Sequence, residues 1–184
     1  METIDTGMVL MFVSSTSYEL SAPSSMVLAN PPASAPMAMA LANIVGRNST
    51  HGVIHDFLGK LKNNNKELEI LGDGTQEKSY MHVDDCIGAM ILIYEKTREG
   101  EVVNLGNTTR TSVRRIADIV CETMGLDNVK YNFTGGFEGR GWKGDIKIAQ
   151  LSIDRMLSHG WKNIYGSDES VYKASQEIYK QRTS

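Results

Sequence analysis

After residue 42, short apolar segments alternate with longer amphipathic ones, and this alternation limits the folds that the chain can adopt. Strands are predicted at "ELEIL", "QEKSYMHV", "EVVNLG" and "VKYNF". Helices are predicted at "NSTHGVIHDFLGKLKNNN", "CIGAMILIYEK", "VRRIADIVCETM", "IDRMLSHG" and from about residue 168 to residue 180. Strands and helices that alternate at these lengths indicate an α/β fold with some parallel strand pairing.

Polar residues and a glycine mark the expected ends of three helices. Ser49 and Thr50 stand before the first helix, Asp84 or Asp85 before the second, and Ser112 before the third. Their side-chain oxygens can accept hydrogen bonds from the first free N–H groups of a helix. Gly125 follows the third helix and suits a left-handed C-cap. In the first helix one apolar face is expected in the core: Val53, Ile54, Phe57, Leu58 and Leu61.

The first 40 residues have a different composition. All 4 prolines fall between residues 23 and 36, inside a stretch rich in Ser, Ala and Met. Such a stretch offers few large side chains to a core, so residues 19–36 are predicted to form a loop or a poorly ordered linker. Upstream, "MVLMFVSS" (8–15) is a short apolar run and is predicted to be a buried parallel strand.

Charge and hydropathy exclude several broad classes. The net charge is −3 and no basic run occurs, which argues against a general nucleic-acid or anionic-membrane surface. No apolar run approaches the roughly 20 residues of a membrane span. The N-terminus lacks a basic segment, so no signal peptide is expected and a cytoplasmic location is predicted. Cys86 and Cys121 are predicted to be buried thiols in a reducing compartment.

The stretch "GRGWKGD" (139–145) is a candidate anion-binding loop. Its glycines let backbone N–H groups approach a ligand, and Arg140 offers a planar fork that suits phosphate oxygens. Asp145 can accept hydrogen bonds from sugar hydroxyls, and Lys78 can meet a second phosphate oxygen. The alternative interpretation is an exposed connection with a surface charge pair and a solvated lysine on an edge strand.

The stretch "LANIVGRNSTHGVI" (41–54) is a second candidate. A strand is expected to end at Asn43, and a loop then leads to a helix N-terminus, which favours anions. Asn43, Arg47 and the N–H groups near Gly52 are therefore expected to converge on a ligand. His51 and His55 stand four residues apart, but no third ligand is in sight, so no metal site is predicted.

The order of these motifs carries a family resemblance. "ANIVG", "LEILGDG", "YMHVDD", "VVNLGN", "RGWKGD" and "HGWKN" together resemble the C-terminal portion of the extended short-chain dehydrogenases, over about residues 41–163. The nearest likeness is to NAD-dependent nucleotide-sugar epimerases and dehydratases of the UDP-glucose 4-epimerase type. The resemblance implies an α/β fold in which residues 1–40 are a truncated Rossmann-type remnant of the NAD-binding domain with its linker. Residues 41–184 would form the small substrate-binding domain.

The resemblance also assigns roles to single residues. Asn43 would bond the diphosphate or the sugar, Glu69, Ile70 and Leu71 would lie along the uracil, and Arg140 and Asp145 would meet a phosphate and the ribose. Lys78 stands where the family usually has an arginine facing the diphosphate. The lysine keeps the charge but loses the bidentate fork, so diphosphate binding is expected to be weaker.

Parts of the family's catalytic machinery are missing from the sequence. The resemblance implies transient hydride transfer to NAD, which is bound by a glycine fingerprint, with the tyrosine of a Tyr-x-x-x-Lys motif as the base. No such fingerprint precedes residue 41, and no lysine precedes Lys60. Ser15 matches the family's helper hydroxyl. The chain is therefore expected to bind substrate but to be inactive alone, and NAD binding by it is doubtful.

Several functions stay open on the sequence alone. The chain is either the substrate-binding part of an epimerase, a non-catalytic nucleotide-sugar-binding module, or a truncated gene product without function. A UDP-sugar is the expected ligand, although the sequence does not fix the sugar or the nucleotide. Both a homo-oligomer and a complementing NAD-domain chain are open as partners.

Overall fold

The computed structural model describes residues 8–13, 37–96 and 101–183. The strands are β1 (Met8–Val13), β2 (Met37–Ala42), β3 (Ile44–Val45), β4 (Glu67–Ile70), β5 (Glu77–Lys78), β6 (Met81–His82), β7 (Val102–Leu105), β8 (Thr111–Ser112), β9 (Lys130–Phe133) and β10 (Ile148–Ala149). The helices are α1 (Val53–Asn63), α2 (Val83–Lys96), α3 (Val113–Met124), α4 (Asp154–Ser158) and α5 (Ser167–Thr183). The predicted α/β class is confirmed.

The longest strands form a sheet with the order β1-β2-β7. β2 and β7 are parallel, with Ala38 opposite Val102 and Leu41 opposite Leu105. β1 is antiparallel to β2, with Met8 opposite Ala42. The prediction of a parallel strand at 8–15 was therefore right in type and wrong in direction, because an apolar run alone does not encode which way its partner runs. The predicted linker at 19–36 lies outside the described residues.

The other strands form three smaller sheets. β5 lies between β10 (parallel) and β8 (antiparallel), β3 pairs with β6, and β4 pairs with β9. The single strand predicted at "QEKSYMHV" is in fact β5 and β6, which belong to different sheets. It breaks because Ser79 N–H donates to Ala149 O, while Tyr80 N–H donates to the Ser167 hydroxyl.

Helix boundaries follow the sequence signals in part. Ser112 caps α3 by accepting a hydrogen bond from Arg115 N–H, and Gly125 ends it in the left-handed conformation, as predicted. The caps predicted at the first two helices were wrong. Gly52 precedes α1 without a side-chain bond, because the Ser49 hydroxyl donates to Gly46 O instead. α2 begins at Val83, so both aspartates lie inside its first turn.

The core consists of two clusters. One joins α1, α3 and α5 to β4, and the other joins β2 and β7 to α2 and α4. Four of the five apolar residues predicted on α1 are buried, and the fifth packs against the same cluster. Burying each such side chain stabilises the fold by about 1.5–3 kcal/mol. Both cysteines are buried and free, as predicted. Within the described ranges, no helix is long and apolar enough to cross a membrane.

Candidate active site

A cavity of about 860 Å³ lies beside the N-terminal end of α1. Its other walls are formed by the loop after β2, the first two turns of α2 and the glycine-rich loop (139–145). Its polar lining includes Asn43, His51, Gln76, Lys78 and Asp145. Most of the remaining lining is apolar, which is typical of a small-molecule site with a few polar groups that fix orientation. Of the residues expected from the sequence to meet a ligand, Asn43, Lys78 and Asp145 line this cavity, whereas Arg47 and Arg140 do not.

Lys78 and Asp145 form an ion pair in the cavity wall. Lys78 Nζ lies 3.3 Å from Asp145 Oδ1, and the Asp145 side chain is 5% exposed. The other Asp145 oxygen accepts a hydrogen bond from Gly141 N–H at 3.2 Å. Lys78 Nζ also lies 5.9 Å from the centre of the Trp142 ring. The ammonium group is thus held over the glycine-rich loop, with its charge largely neutralised by a buried carboxylate.

The N-terminal end of α1 supplies backbone donors to the cavity. Gly52, Val53 and Ile54 all line it, and no side chain caps this helix. Uncapped N–H groups and the helix dipole favour a negatively charged ligand, by about 0.3–1 kcal/mol per charge at an exposed site. Asn43 directly follows β2 and also lines the cavity, and its backbone is left-handed with φ of 53°. Asn tolerates that region better than most residues.

Two glycines beside the glycine-rich loop (139–145) leave no room for side chains: Gly72, in the turn after β4, and Gly136, just before the loop. Gly72 has φ of 84°, and a Cβ there would overlap the Gln76 amide and lie 2.7 Å from Gly139 O. Gly136 has φ of 47°, and a Cβ there would overlap Arg140 O. Phe137 and Arg140 pair their backbones in both directions, at 3.0 Å each. These contacts hold the loop against the turn that follows β4.

Arg140 does not line the cavity. Its guanidinium lies 3.9 Å from a Glu138 oxygen, and its side chain is 37% exposed. Its buried Nε has no hydrogen-bond partner among the described residues. A buried N–H without a partner costs about 1–3 kcal/mol, so this group has an unused hydrogen bond to donate.

The other predicted residues are divided between the cavity, the core and the surface. Leu71 lines the cavity and is exposed. Ile70 is fully buried in the core, and Glu69 is an exposed residue that pairs with Lys60 at 3.7 Å. Arg47, which was expected to meet the ligand, does not line the cavity and pairs with Asp84 at 2.7 Å. Ser15 lies outside the described residues.

Gln76 and Tyr80 line the cavity although the sequence did not single them out. Gln76 is 2% exposed, and it looked like an ordinary turn residue because nothing local marks it for burial. Tyr80 is 6% exposed, and burial raises the pKa of its phenol, followed by repulsion from the Asp145 carboxylate. A phenol with a raised pKa is a poor general base near neutral pH.

A second polar cluster joins α2 to α5. His82 is fully buried, and its Nε2 lies 3.1 Å from Glu177, while its Nδ1 accepts from Asp84 N–H at 3.2 Å. Hydrogen bonds from Lys173 and then Arg47 lower the pKa of Asp84 to about 2. The three groups lie within metal-ligating reach of one another. Both ring nitrogens and Asp84 already have protein partners. The cluster is therefore better explained as a set of polar contacts that holds α2 against α5, called the clamp below, than as a metal site.

Comparison with known proteins shows which family the chain resembles. The family model described as "NAD dependent epimerase/dehydratase family" matches residues 32–106. A crystal structure of UDP-galactose 4-epimerase superposes on 79% of this chain with a TM-score of 0.67 and 31% sequence identity. Over residues 32–106 the chain is therefore similar to the NAD-dependent epimerase/dehydratase family.

The curated relatives are named for sugars that carry different nucleotides. A putative UDP-glucose 4-epimerase of Methanocaldococcus jannaschii is 30% identical over 112 residues, which are 60% of this chain and 33% of that protein. A GDP-L-fucose synthase of Sinorhizobium fredii is 28% identical over 95 residues, 52% of this chain and 28% of that protein. The chain also spans 45% of the UDP-galactose 4-epimerase chain. It thus matches less than half the length of these relatives.

The described residues do not fit the family's dinucleotide cofactor. A dinucleotide is bound where a strand leads through a G-x-G-x-x-G type turn into a helix. In residues 37–96 and 101–183, β6 runs directly into α2 and β8 directly into α3, and the loop before α1 lacks that glycine spacing. No chemical step at the cavity is therefore assigned to NAD.

Proposed function

We propose that this chain binds a nucleotide sugar, with a UDP-sugar as the first candidate, in the cavity beside α1. The observation that carries the proposal is that Asn43, Lys78 and Asp145 line one cavity, next to uncapped backbone N–H groups of α1. Relatives named for UDP- and GDP-sugar chemistry support the ligand class. In domain terms, residues 41–184 would be the substrate-binding part and residues 1–40 the remnant of a NAD-binding domain.

The charges of the cavity suggest how the ligand would lie. Asp145 already neutralises Lys78, and Asp56 adds a second carboxylate to the lining. A diphosphate therefore needs further positive charge, which the N-terminus of α1 and the guanidinium of Arg140 would supply. Arg140 would leave Glu138, whose 3.9 Å pair with it is long and exposed and hence worth little. Asp145 would accept hydrogen bonds from sugar hydroxyls.

Catalysis by this chain alone is not part of the proposal. The family's reaction needs NAD and an activated tyrosine, and the cavity-lining Tyr80 has a raised pKa. A complementing chain that carries the NAD-binding half, or a homo-oligomer, would be the partner of an active form. Without such a partner, the chain would hold the nucleotide sugar and leave it unchanged.

Calorimetry on the purified chain with UDP-glucose, UDP and NAD tests the proposal. Binding of UDP-glucose and UDP, without binding of NAD, is the expected result. Arg140→Ala should weaken UDP affinity about tenfold, because a charge-assisted hydrogen bond to phosphate is lost. The control is Arg110→Ala, an exposed arginine outside the cavity that pairs with Glu77. If neither nucleotide binds, the proposal is wrong; if NAD binds and UDP-galactose is epimerised, the chain is an enzyme in its own right.

A further inference from the structure

Gln76 is the buried polar side chain in the cavity wall that the proposed ligand contacts described so far do not use. It stands between the turn after β4 and strand β5, two residues before Lys78. Its side chain is 2% exposed although it lines the cavity. Its backbone is fixed, since Gln76 O accepts a hydrogen bond from Val113 N–H at 2.9 Å. A side chain held in this way is pre-organised for recognition.

The Gln76 amide has one satisfied end and one free end. Nε2 donates to Leu71 O at 3.1 Å. Oε1 is buried and accepts no hydrogen bond from any described residue. Turning the amide over would place an oxygen against the Leu71 carbonyl, so the orientation is set by that contact. The group left without a partner is therefore an acceptor, and only a donor can satisfy it.

The residues around the Gln76 amide are suited to a flat ligand ring. A Cβ placed on Gly141 would lie 3.4 Å from Leu71 Cβ and 3.8 Å from Gln76 Nε2. It would also lie 3.4 Å from Asp145 Oδ2. The apolar Leu71 and the half-exposed Trp142 line the same cavity. Apolar faces beside a single buried acceptor suit the edge of a nucleobase, whereas Asp145 and Lys78 suit hydroxyls and phosphates.

We propose that Gln76 selects the nucleobase, with its Oε1 accepting a hydrogen bond from a ring N–H of the ligand. The inference deepens the proposed function and rests on it. Uracil, thymine and guanine carry a ring N–H on their pairing edge. Cytosine and adenine present a ring nitrogen lone pair there instead, which would face the Gln76 oxygen. A site built around such an acceptor rejects ligands that lack the donor, because its buried oxygen stays unpaired.

The test compares three nucleotides on the wild-type chain by calorimetry: UDP, CDP and UDP methylated at N3. The methyl group removes the N–H and leaves the diphosphate and the ribose intact. UDP is expected to bind about tenfold more tightly than CDP or the methylated analogue. This comparison needs no variant and is independent of folding defects.

The variant Gln76→Met complements this comparison, since methionine has a similar length and no amide. It should weaken UDP binding about tenfold and change CDP binding by no more than about twofold, so the preference for UDP disappears. The control is Gln150→Met, an exposed glutamine that bonds Asn107 O and Thr108 O outside the cavity. It should leave the preference unchanged.

The outcomes separate the two proposals. Equal binding of UDP, CDP and the methylated analogue overturns the role of Gln76 and leaves nucleotide-sugar binding intact. Equal weakening of UDP and CDP by Gln76→Met means that the amide only braces the Leu71 turn, which also overturns the role. If the wild-type chain binds no nucleotide, both proposals are wrong.

Discussion

Lys78 Nζ lies 3.3 Å from Asp145 Oδ1, so the cation of the candidate site already has a buried counterion. A phosphate must therefore share this lysine with a carboxylate. An ammonium group has three donors, whereas a guanidinium has five in a rigid fork. The lysine is thus a limited partner for a ligand with two phosphates.

Lys78→Arg is expected to raise UDP affinity about threefold to tenfold, because arginine can hold Asp145 and a phosphate at once. Lys78→Met should lower it about tenfold. Lys78→Met should also lower the thermal midpoint, because the Asp145 carboxylate is left buried without its cation. Calorimetry and thermal melts measure both effects. If neither variant changes the affinity for UDP, the phosphates do not bind beside residue 78.

Gly135 and Gly136, which precede the glycine-rich loop, should differ in how much stability is lost when each is replaced by alanine. At Gly136 the φ is positive and a Cβ would overlap Arg140 O. Gly136→Ala should therefore lower the free energy of unfolding by about 3 kcal/mol. Gly135 has φ of 72° but open space around it, so Gly135→Ala should cost about 1 kcal/mol. Urea denaturation measures both. Equal losses would mean that the loop does not pack as described.

Much of the local structure could be predicted from the sequence, because helix ends and apolar faces depend on neighbouring residues. Ser112 and Gly125 are where the signals place them. Strand partners are a different matter, since β4 pairs with β9 about sixty residues later and no turn signal links them. The α1 cap was missed because the Ser49 hydroxyl has a competing acceptor in Gly46 O, which only the folded loop brings near.

Acid should weaken the clamp between α2 and α5. The native pKa of Asp84 is about 2, against an ordinary 3.8, so the unfolded chain binds protons more readily. Its contribution is therefore complete above about pH 4 and is lost as pH falls towards 2. Because the side chain is 35% exposed, screening limits the contribution to about 1 kcal/mol.

Asp84→Asn tests the clamp by urea denaturation at several pH values. The variant should be about 1 kcal/mol less stable than the wild type at pH 7 and equal to it near pH 2. Asp127→Asn, an exposed residue outside the clamp, serves as the control. A difference that persists at pH 2 would show that packing, and not the charge, is responsible.

The two thiols should be unreactive in the native protein. Burial, followed by the nearby Asp85 carboxylate, raises the pKa of Cys86 to about 11, and burial raises that of Cys121. A disulfide reagent at pH 8 should modify both in denaturant and react at least about a hundredfold more slowly without it. Fast labelling of native Cys86 would show that the cavity wall opens.

Candidate site residues were predictable where an unusual residue type stands in a motif. Asn43, Lys78 and Asp145 belong to that group, and all three line the cavity. Gln76 carries no such mark. Its amide fits because residue 72 is a glycine, since a Cβ at that position would overlap Gln76 Nε2. Arg140 belongs to the right motif, but the rotamer of an exposed arginine is decided by its neighbours.

The strand that carries Lys78 has consequences for synthesis on the ribosome. β5 is bounded by β8 on one side and by β10 on the other. Until synthesis has passed Ala149, β5 has no strand partner on one side. Until α5 has been made, Glu177 and Gln181 cannot bond the backbone of the Arg47–Asn48 loop. Ligand recognition can therefore begin only after α5 has been synthesised, so a bound nucleotide cannot guide the earlier folding steps.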